Sequence, residues 1–220
     1  MIISSGRAYV FVHIPKTGGT SLAMALEDRA HKDDILIGDT PKAVKRRNRV
    51  KGLRGRGRLW KHSTLADIDG VLTNEELQSL TAFTMVRNPW DRIVSYYRWL
   101  RVQSFDHAAV SLAKYLQFGE FVLHPDILRS VAQNPARQYM TRADGVEQCH
   151  AYIRLEQFEQ DAAPVFDHLG FRVSLPHANR SDRTQGYRQY YTAETAAAVA
   201  SACAEDIRRF GYTFDPAQGA

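Results

Sequence analysis

Residues 11–21 read "FVHIPKTGGTS", an apolar run that passes into a lysine, two glycines and a cluster of hydroxyls. The order differs from the nucleotide-binding loop G-x-x-x-x-G-K-[ST], in which the lysine follows the last glycine. Here Lys16 precedes Gly18 and Gly19, with Thr17, Thr20 and Ser21 around them. Just upstream, "AYVFVHI" (8–14) is rich in β-branched and aromatic residues, as a buried strand requires. Just downstream, "TSLAMALEDRA" (20–30) places Leu22, Ala25 and Leu26 on one helical face. A glycine turn between strand and helix gathers backbone N–H groups at the positive end of the helix dipole, which favours an anion. The same stretch also suits a plain strand-to-helix turn with a helix cap.

The pattern repeats further along the chain. "ILIGD" (35–39), "AFTMV" (82–86) and "AYIRLE" (151–156) are further strand candidates. "TNEELQSL" (73–80) opens with the capping-box pair Thr73 and Glu76. "PWDRIVSYYRWLRVQ" (89–103) begins with proline at a helix N-terminus. Further helices are expected within 107–119, 124–133 and 157–168, and a closing helix over 192–212 with Gly211 as its stop. Strands alternating with helices predict an α/β fold: a P-loop-like three-layer domain with a central parallel sheet flanked by helices. The 220 residues are expected to form a single domain, since ~100–200 residues per domain is usual. Residues 40–62, polar and rich in Arg and Gly, read as a mobile excursion from it.

The second informative stretch is "TMVRNPWDRIVSYYRWL" (84–100). Arg87 sits at a strand's carboxyl end, where α/β sheets bind ligands, and Ser95 lies on the following helix. An arginine fork suits a phosphate, and Ser95 can reach the same group. Equally, Arg87 and Arg92 suit a surface position and Tyr96, Tyr97 and Trp99 suit packing.

Taken together, "PKTGGTS" resembles the 5′-phosphosulfate loop of sulfotransferases, and "VRNPWDRIVSYY" resembles their 3′-phosphate segment, R-N-P-x-x-R-x-x-S-x-Y. The similarity is closest to the branch holding carbohydrate sulfotransferases and bacterial relatives, and it continues through "YIRLEQF", "LPHANRS" and "DIRRFGYTFD". It implies 3′-phosphoadenosine 5′-phosphosulfate (PAPS) as donor. Lys16, Thr17, Gly18, Gly19, Thr20 and Ser21 would hold the phosphosulfate, and Arg87 with Ser95 the 3′-phosphate. Lys16 is the candidate for neutralising the bridging and leaving oxygens, because such transfers depend on positioning and electrostatics.

A base is also needed for an acceptor hydroxyl. His62, in "LWKHSTLADI", is the candidate. "KHSTL" resembles the catalytic-histidine segment of bacterial members, and imidazole titrates near neutrality. A loop-packing role suits His62 too. His13 reads as structural. His177, Asn179, Arg180 and Ser181 belong to a loop that can line the site, and Glu156 suits either site organisation or an ion pair. The His and Cys residues lack zinc-site spacing, so no metal is expected.

Residues 42–62 carry ten Lys or Arg and no acid; removing those ten from the net charge of +5 leaves −5 elsewhere. So local a basicity suits steering of an anionic acceptor such as a carbohydrate, or a solvated lid. Nucleic-acid contact is disfavoured, since Trp60 is the one aromatic in the run. Rival classes are a P-loop kinase or NTPase, which magnesium dependence would reveal, and a basic nucleic-acid-binding module. Cys149 and Cys203 read as ordinary thiols of a reducing compartment. The N-terminus lacks the apolar stretch of ~7–15 residues that a signal peptide needs, and no segment approaches the ~18–20 of a membrane span, so a cytoplasmic location is expected.

Overall fold

The computed structural model describes residues 1–175 and 186–215. The chain divides into two compact units, Met1–Val86 with Ala136–Asn179, and Arg87–Pro135 with Arg180–Ala220.

The first unit is built on a five-stranded sheet of order β3-β1-β2-β4-β5, with β1 at Ile2–Ser4, β2 at Tyr9–Val12, β3 at Ile35–Leu36, β4 at Thr81–Val86 and β5 at Ala151–Arg154. β2, β4 and β5 are parallel, pairing Phe11 with Phe83 and Met85 with Ile153. The central strands are parallel as expected, and β1 adds an antiparallel strand, running opposite to both β2 and β3. The cause is an N-terminal hairpin: Ser5–Arg7 forms a 3₁₀ turn that closes through Ala8 in the left-handed region, φ 50°. That turn folds Ile2 and Ile3 back onto Phe11 and Val10.

Side-chain alternation buries both faces of the central strands. One face sets Ile2, Tyr9, Phe11, Phe83, Met85 and Ile153 in a single core with Leu22 and Leu26 of α1 (Gly19–Asp28). Phe11 and Phe83 meet at 5.5 Å between ring centroids. The other face buries Val10, Val12, Ala82, Thr84 and Val86, and the Thr84 hydroxyl is donated to the Val12 carbonyl at 2.7 Å.

Residues 40–62, read from the sequence as an excursion, contain defined elements. α2 (Pro41–Arg46) starts at Thr40, whose Oγ1 accepts from the Ala43 amide at 3.2 Å, with Pro41 suited to the first turn. Further on, the Gly57 amide donates to the Asp67 carbonyl at 3.1 Å and the Arg56 amide to that of Asp69 at 2.7 Å. α3 (Asn74–Gln78) has the predicted capping box, Thr73 with Glu76.

The second unit is helical. α4 (Pro89–Arg101) begins at Asn88, whose side chain accepts from the Trp90 and Asp91 amides. Its Trp90, Ile93, Val94, Tyr97 and Leu100 are buried with α5 (Ala108–Tyr115), α6 (Phe118–Leu123) and α7 (Pro125–Ala132). The expected closing helix is interrupted: α11 (Ala193–Ala202) and α12 (Ala204–Phe210) are separated at Cys203, and Gly211 stops the second with φ 67°. Between these in sequence, and within the first unit, lie α8 (Ala136–Tyr139), α9 (Phe158–Asp161) and α10 (Ala163–Leu169). The helix expected over 157–168 is thus two, since Pro164 cannot donate an intrahelical hydrogen bond and is accommodated in the first turn of α10.

Candidate active site

In the first unit, β2 ends at Val12 and α1 begins at Gly19, so Lys16 to Gly18 form the turn. Two of its residues are left-handed, Lys16 with φ 66° and Gly18 with φ 87°. The buried Thr17 donates its hydroxyl to the Ile14 carbonyl at 2.9 Å, which pins the turn and leaves its backbone as what it offers a ligand. Gly18 is the N-cap of α1 and no side chain caps that helix, although its first N–H groups need acceptors. Both glycines are required by space. A Cβ on Gly18 would lie 2.9 Å from Leu155, and one on Gly19 would lie 2.2 Å from His13 Cδ2. Lys16, Thr20 and Ser21 are half-buried around this uncapped end. Together, the dipole, the absent cap and the missing Cβ atoms make the turn fit an anion approaching the backbone closely.

His62 lies in the same unit. Its Nδ1 donates to the His13 carbonyl at 2.8 Å, which fixes the tautomer and leaves the lone pair on Nε2. The His13 ring, 4.6 Å away edge-on, occupies the space that a side chain on Gly19 would take. The Trp60 ring meets His62 edge-on at 5.0 Å. A tight turn holds this arrangement: the fully buried Ser63 accepts at Oγ from the Trp60 amide at 2.9 Å, and the Thr64 amide donates to Asp67 Oδ2 at 2.7 Å. Burial lowers the His62 pKa to about 4, with Lys61 adding to the effect; the hydrogen bond to His13 and the charge of Asp39 oppose it. Burial likewise holds His13 well below the usual imidazole range, with His62 adding to it.

Lys61 pairs with Asp39 at 2.5 Å. Burial opposes ionisation of Asp39, but the hydrogen bond and charge of Lys61 prevail and hold its carboxyl below the usual range. A cleft of about 720 Å³ opens here, lined in part by Asp39, Arg47, Lys51, Arg54, Trp60 and Lys61.

The remaining donor candidates belong to the second unit. Arg87 is bound by Asp91 at 2.7 Å through Nε and 2.5 Å through Nη2. Asp91 and Ser95 are four residues apart on α4 and share a helix face, so the arginine is held toward the face that carries Ser95. Glu156 is exposed in the 3₁₀ turn after β5. His177, Asn179, Arg180 and Ser181 lie outside the described residues. Among the described residues, no group of His, Cys, Asp and Glu is placed to hold a metal ion, and no helix is long and apolar enough to cross a membrane.

Sequence reasoning missed the contacts of His62 with His13 and Trp60, the Asp39–Lys61 pair and the steric need for Gly19. Only the last left a local signal, a glycine at a first helical position with no other reason to be there.

The first unit thus provides a turn for an anionic group and a neutral imidazole tied to the strand that leads into it. The chain belongs to the sulfotransferase family, whose model matches residues 1–213. Among solved structures it is similar to mouse sulfotransferase SULT7A1 complexed with PAP, at 15% identity, with 94% of this chain and 86% of that chain covered and a TM-score of 0.47. No match was found among curated proteins.

Proposed function

We propose that this sulfotransferase moves a sulfuryl group from PAPS to an acceptor hydroxyl, giving a sulfate ester and adenosine 3′,5′-bisphosphate. The observation that carries the proposal is the uncapped turn at Lys16–Gly19 joined through His13 to a His62 whose Nε2 keeps its lone pair. Backbone groups of Thr17, Gly18 and Gly19, with the hydroxyls of Thr20 and Ser21, would bind the 5′-phosphosulfate. Lys16 would stabilise the charge that grows on the phosphate oxygen as the S–O bond breaks. Arg87, oriented by Asp91, and Ser95 would bind the 3′-phosphate. His62 Nε2 would take the acceptor's proton as the new O–S bond forms. A pKa near 4 keeps the ring neutral in the resting enzyme, and an anionic donor at the neighbouring turn would raise its basicity during transfer.

The uninterrupted family match supports residues 1–220 as one sulfotransferase-like domain. With only two cysteines in the chain, Cys149 and Cys203, we read the setting as reducing and cytoplasmic. The ten cations of residues 42–62 support an anionic acceptor, of which an acidic carbohydrate is the form that charge alone favours.

The test is calorimetric titration with adenosine 3′,5′-bisphosphate in chelator, on wild type, Lys16→Ala and Arg87→Ala, with ATP as control. Micromolar binding lost in both variants is expected, and His62→Ala should bind normally yet turn over ~10²–10⁴-fold more slowly. Preference for ATP with magnesium would replace this proposal with a kinase.

A further inference from the structure

The cleft beside His62 has a chemical character that charge counting does not show. Its floor is aliphatic: Leu36, Ile37, Ala43, Val50 and Leu59 contribute to it. Around the mouth stand Arg47, Lys51 and Arg54, all exposed, on a stretch without a single acid. Asp39 is the one carboxylate in the lining and it is committed to Lys61 at 2.5 Å. No Ser, Thr, Asn, Gln, Tyr or Glu lines the cleft. Of the three lining glycines, Gly55 and Gly57 pack closely on Asp67: a Cβ on either would fall within 2.4 Å of it.

A saccharide brings many hydroxyls, each of which must both donate and accept once water is displaced. Arginine and lysine side chains only donate, so among the lining side chains Asp39 alone can accept from a sugar's many hydroxyls. An aliphatic body fits the floor, and an anionic group fits the three cations at the mouth. Trp60, 42% exposed and edge-on to His62 at 5.0 Å between ring centroids, lines the cleft and joins it to the proposed base. The volume lies in the ~300–1,000 Å³ range of clefts that enclose a small molecule.

We propose that this cleft is the acceptor site and that it selects an apolar hydroxy acid, whose anionic end binds Arg47, Lys51 and Arg54 and whose hydroxyl end passes Trp60 toward His62. The inference rests on the sulfotransferase proposal above and narrows its acceptor.

The probes are 12-hydroxydodecanoate, the uncharged 1,12-dodecanediol and a glucuronate-containing tetrasaccharide, titrated into the enzyme saturated with adenosine 3′,5′-bisphosphate. The hydroxy acid should bind at least tenfold more tightly than the diol. The triple variant Arg47→Gln, Lys51→Gln, Arg54→Gln should abolish that preference while leaving bisphosphate affinity unchanged, since all three residues are exposed and outside the donor turn. Trp60→Ala should weaken the acid and the diol together. Tighter binding of the tetrasaccharide would overturn the inference in favour of an acidic carbohydrate. Equal binding of acid and diol, no binding of either, or a triple variant indistinguishable from wild type would overturn the cleft as acceptor site. Failure of wild type to bind the bisphosphate at all would instead sink the sulfotransferase proposal, so the two failures are separable.

Discussion

At Gly19 a single position packs the proposed donor turn against His13, which in turn holds the proposed base His62. It is the first residue of α1, where alanine would ordinarily be favoured by up to ~1 kcal/mol on helix propensity. Yet an alanine Cβ would sit 2.2 Å from Cδ2 and 2.8 Å from Nε2 of His13. The ring cannot yield freely, because it is buried between the turn and His62. Overpacking of this kind costs ~1–3 kcal/mol, so the clash should win over propensity. Gly19→Ala is therefore expected to lower stability in urea unfolding and to weaken adenosine 3′,5′-bisphosphate binding at least tenfold. An alanine variant as stable as wild type with unchanged affinity would show that the turn and His13 are not in register.

Among the elements, α2 links the buried core to the acceptor cleft. Thr40 caps it and also donates its hydroxyl to the buried Glu27, 2.6 Å from Oε2. Burial raises the Glu27 pKa, and the Thr40 hydrogen bond opposes that rise. Thr40→Ala removes a cap and strands a buried carboxylate, a combined loss of ~1–3 kcal/mol. Differential scanning calorimetry should register it as a fall of ~2–4 °C in Tm per kcal/mol, with Thr40→Ser close to wild type. Parity of the alanine variant with wild type would mean that α2 holds its place without the cap. Elements with chemical punctuation of their own were legible in the sequence: the Thr73–Glu76 capping box, the Asn88-Pro89 start of α4 and the Gly211 stop. Those that depend on distant partners were not. β1 has only three residues and exists because Phe11 and Leu36 flank it, and the break at Cys203 carries neither glycine nor proline. The site divided in the same way. The proposed donor residues Lys16–Ser21, Arg87 and Ser95 were read from local motifs, whereas the bond that sets the tautomer of His62 joins residues 49 apart in sequence.

For the molecule as a whole, the two neutral histidines make a prediction about stability and pH. His62 titrates near 4 in the folded chain and His13 well below its ordinary value, against ~6.5 for each when unfolded. Below pH 6.5 the unfolded chain therefore binds more protons than the folded one, and folding loses free energy as the pH falls toward 4. Each histidine contributes at most about 1.4 kcal/mol per pH unit across that window. Glu27 acts in the opposite sense: its raised pKa favours the folded state as the pH drops toward the ordinary carboxylate value. Asp39 and Asp161, held low by Lys61 and Arg154, lose their contribution only at more acid pH. Comparison of wild type with His62→Asn reports chiefly on His62, because the Glu27 and Asp161 terms are common to both and those of His13 and Asp39 change only through the smaller influence of His62 on them. Urea unfolding at pH 7.5, 6.5, 5.5 and 4.5 should show wild type losing stability more steeply than the variant below pH 6.5, with parallel curves above it. Curves parallel over the whole range would mean that His62 protonates as readily in the folded protein as in the unfolded chain, and the neutral imidazole assigned to catalysis would then have to be abandoned.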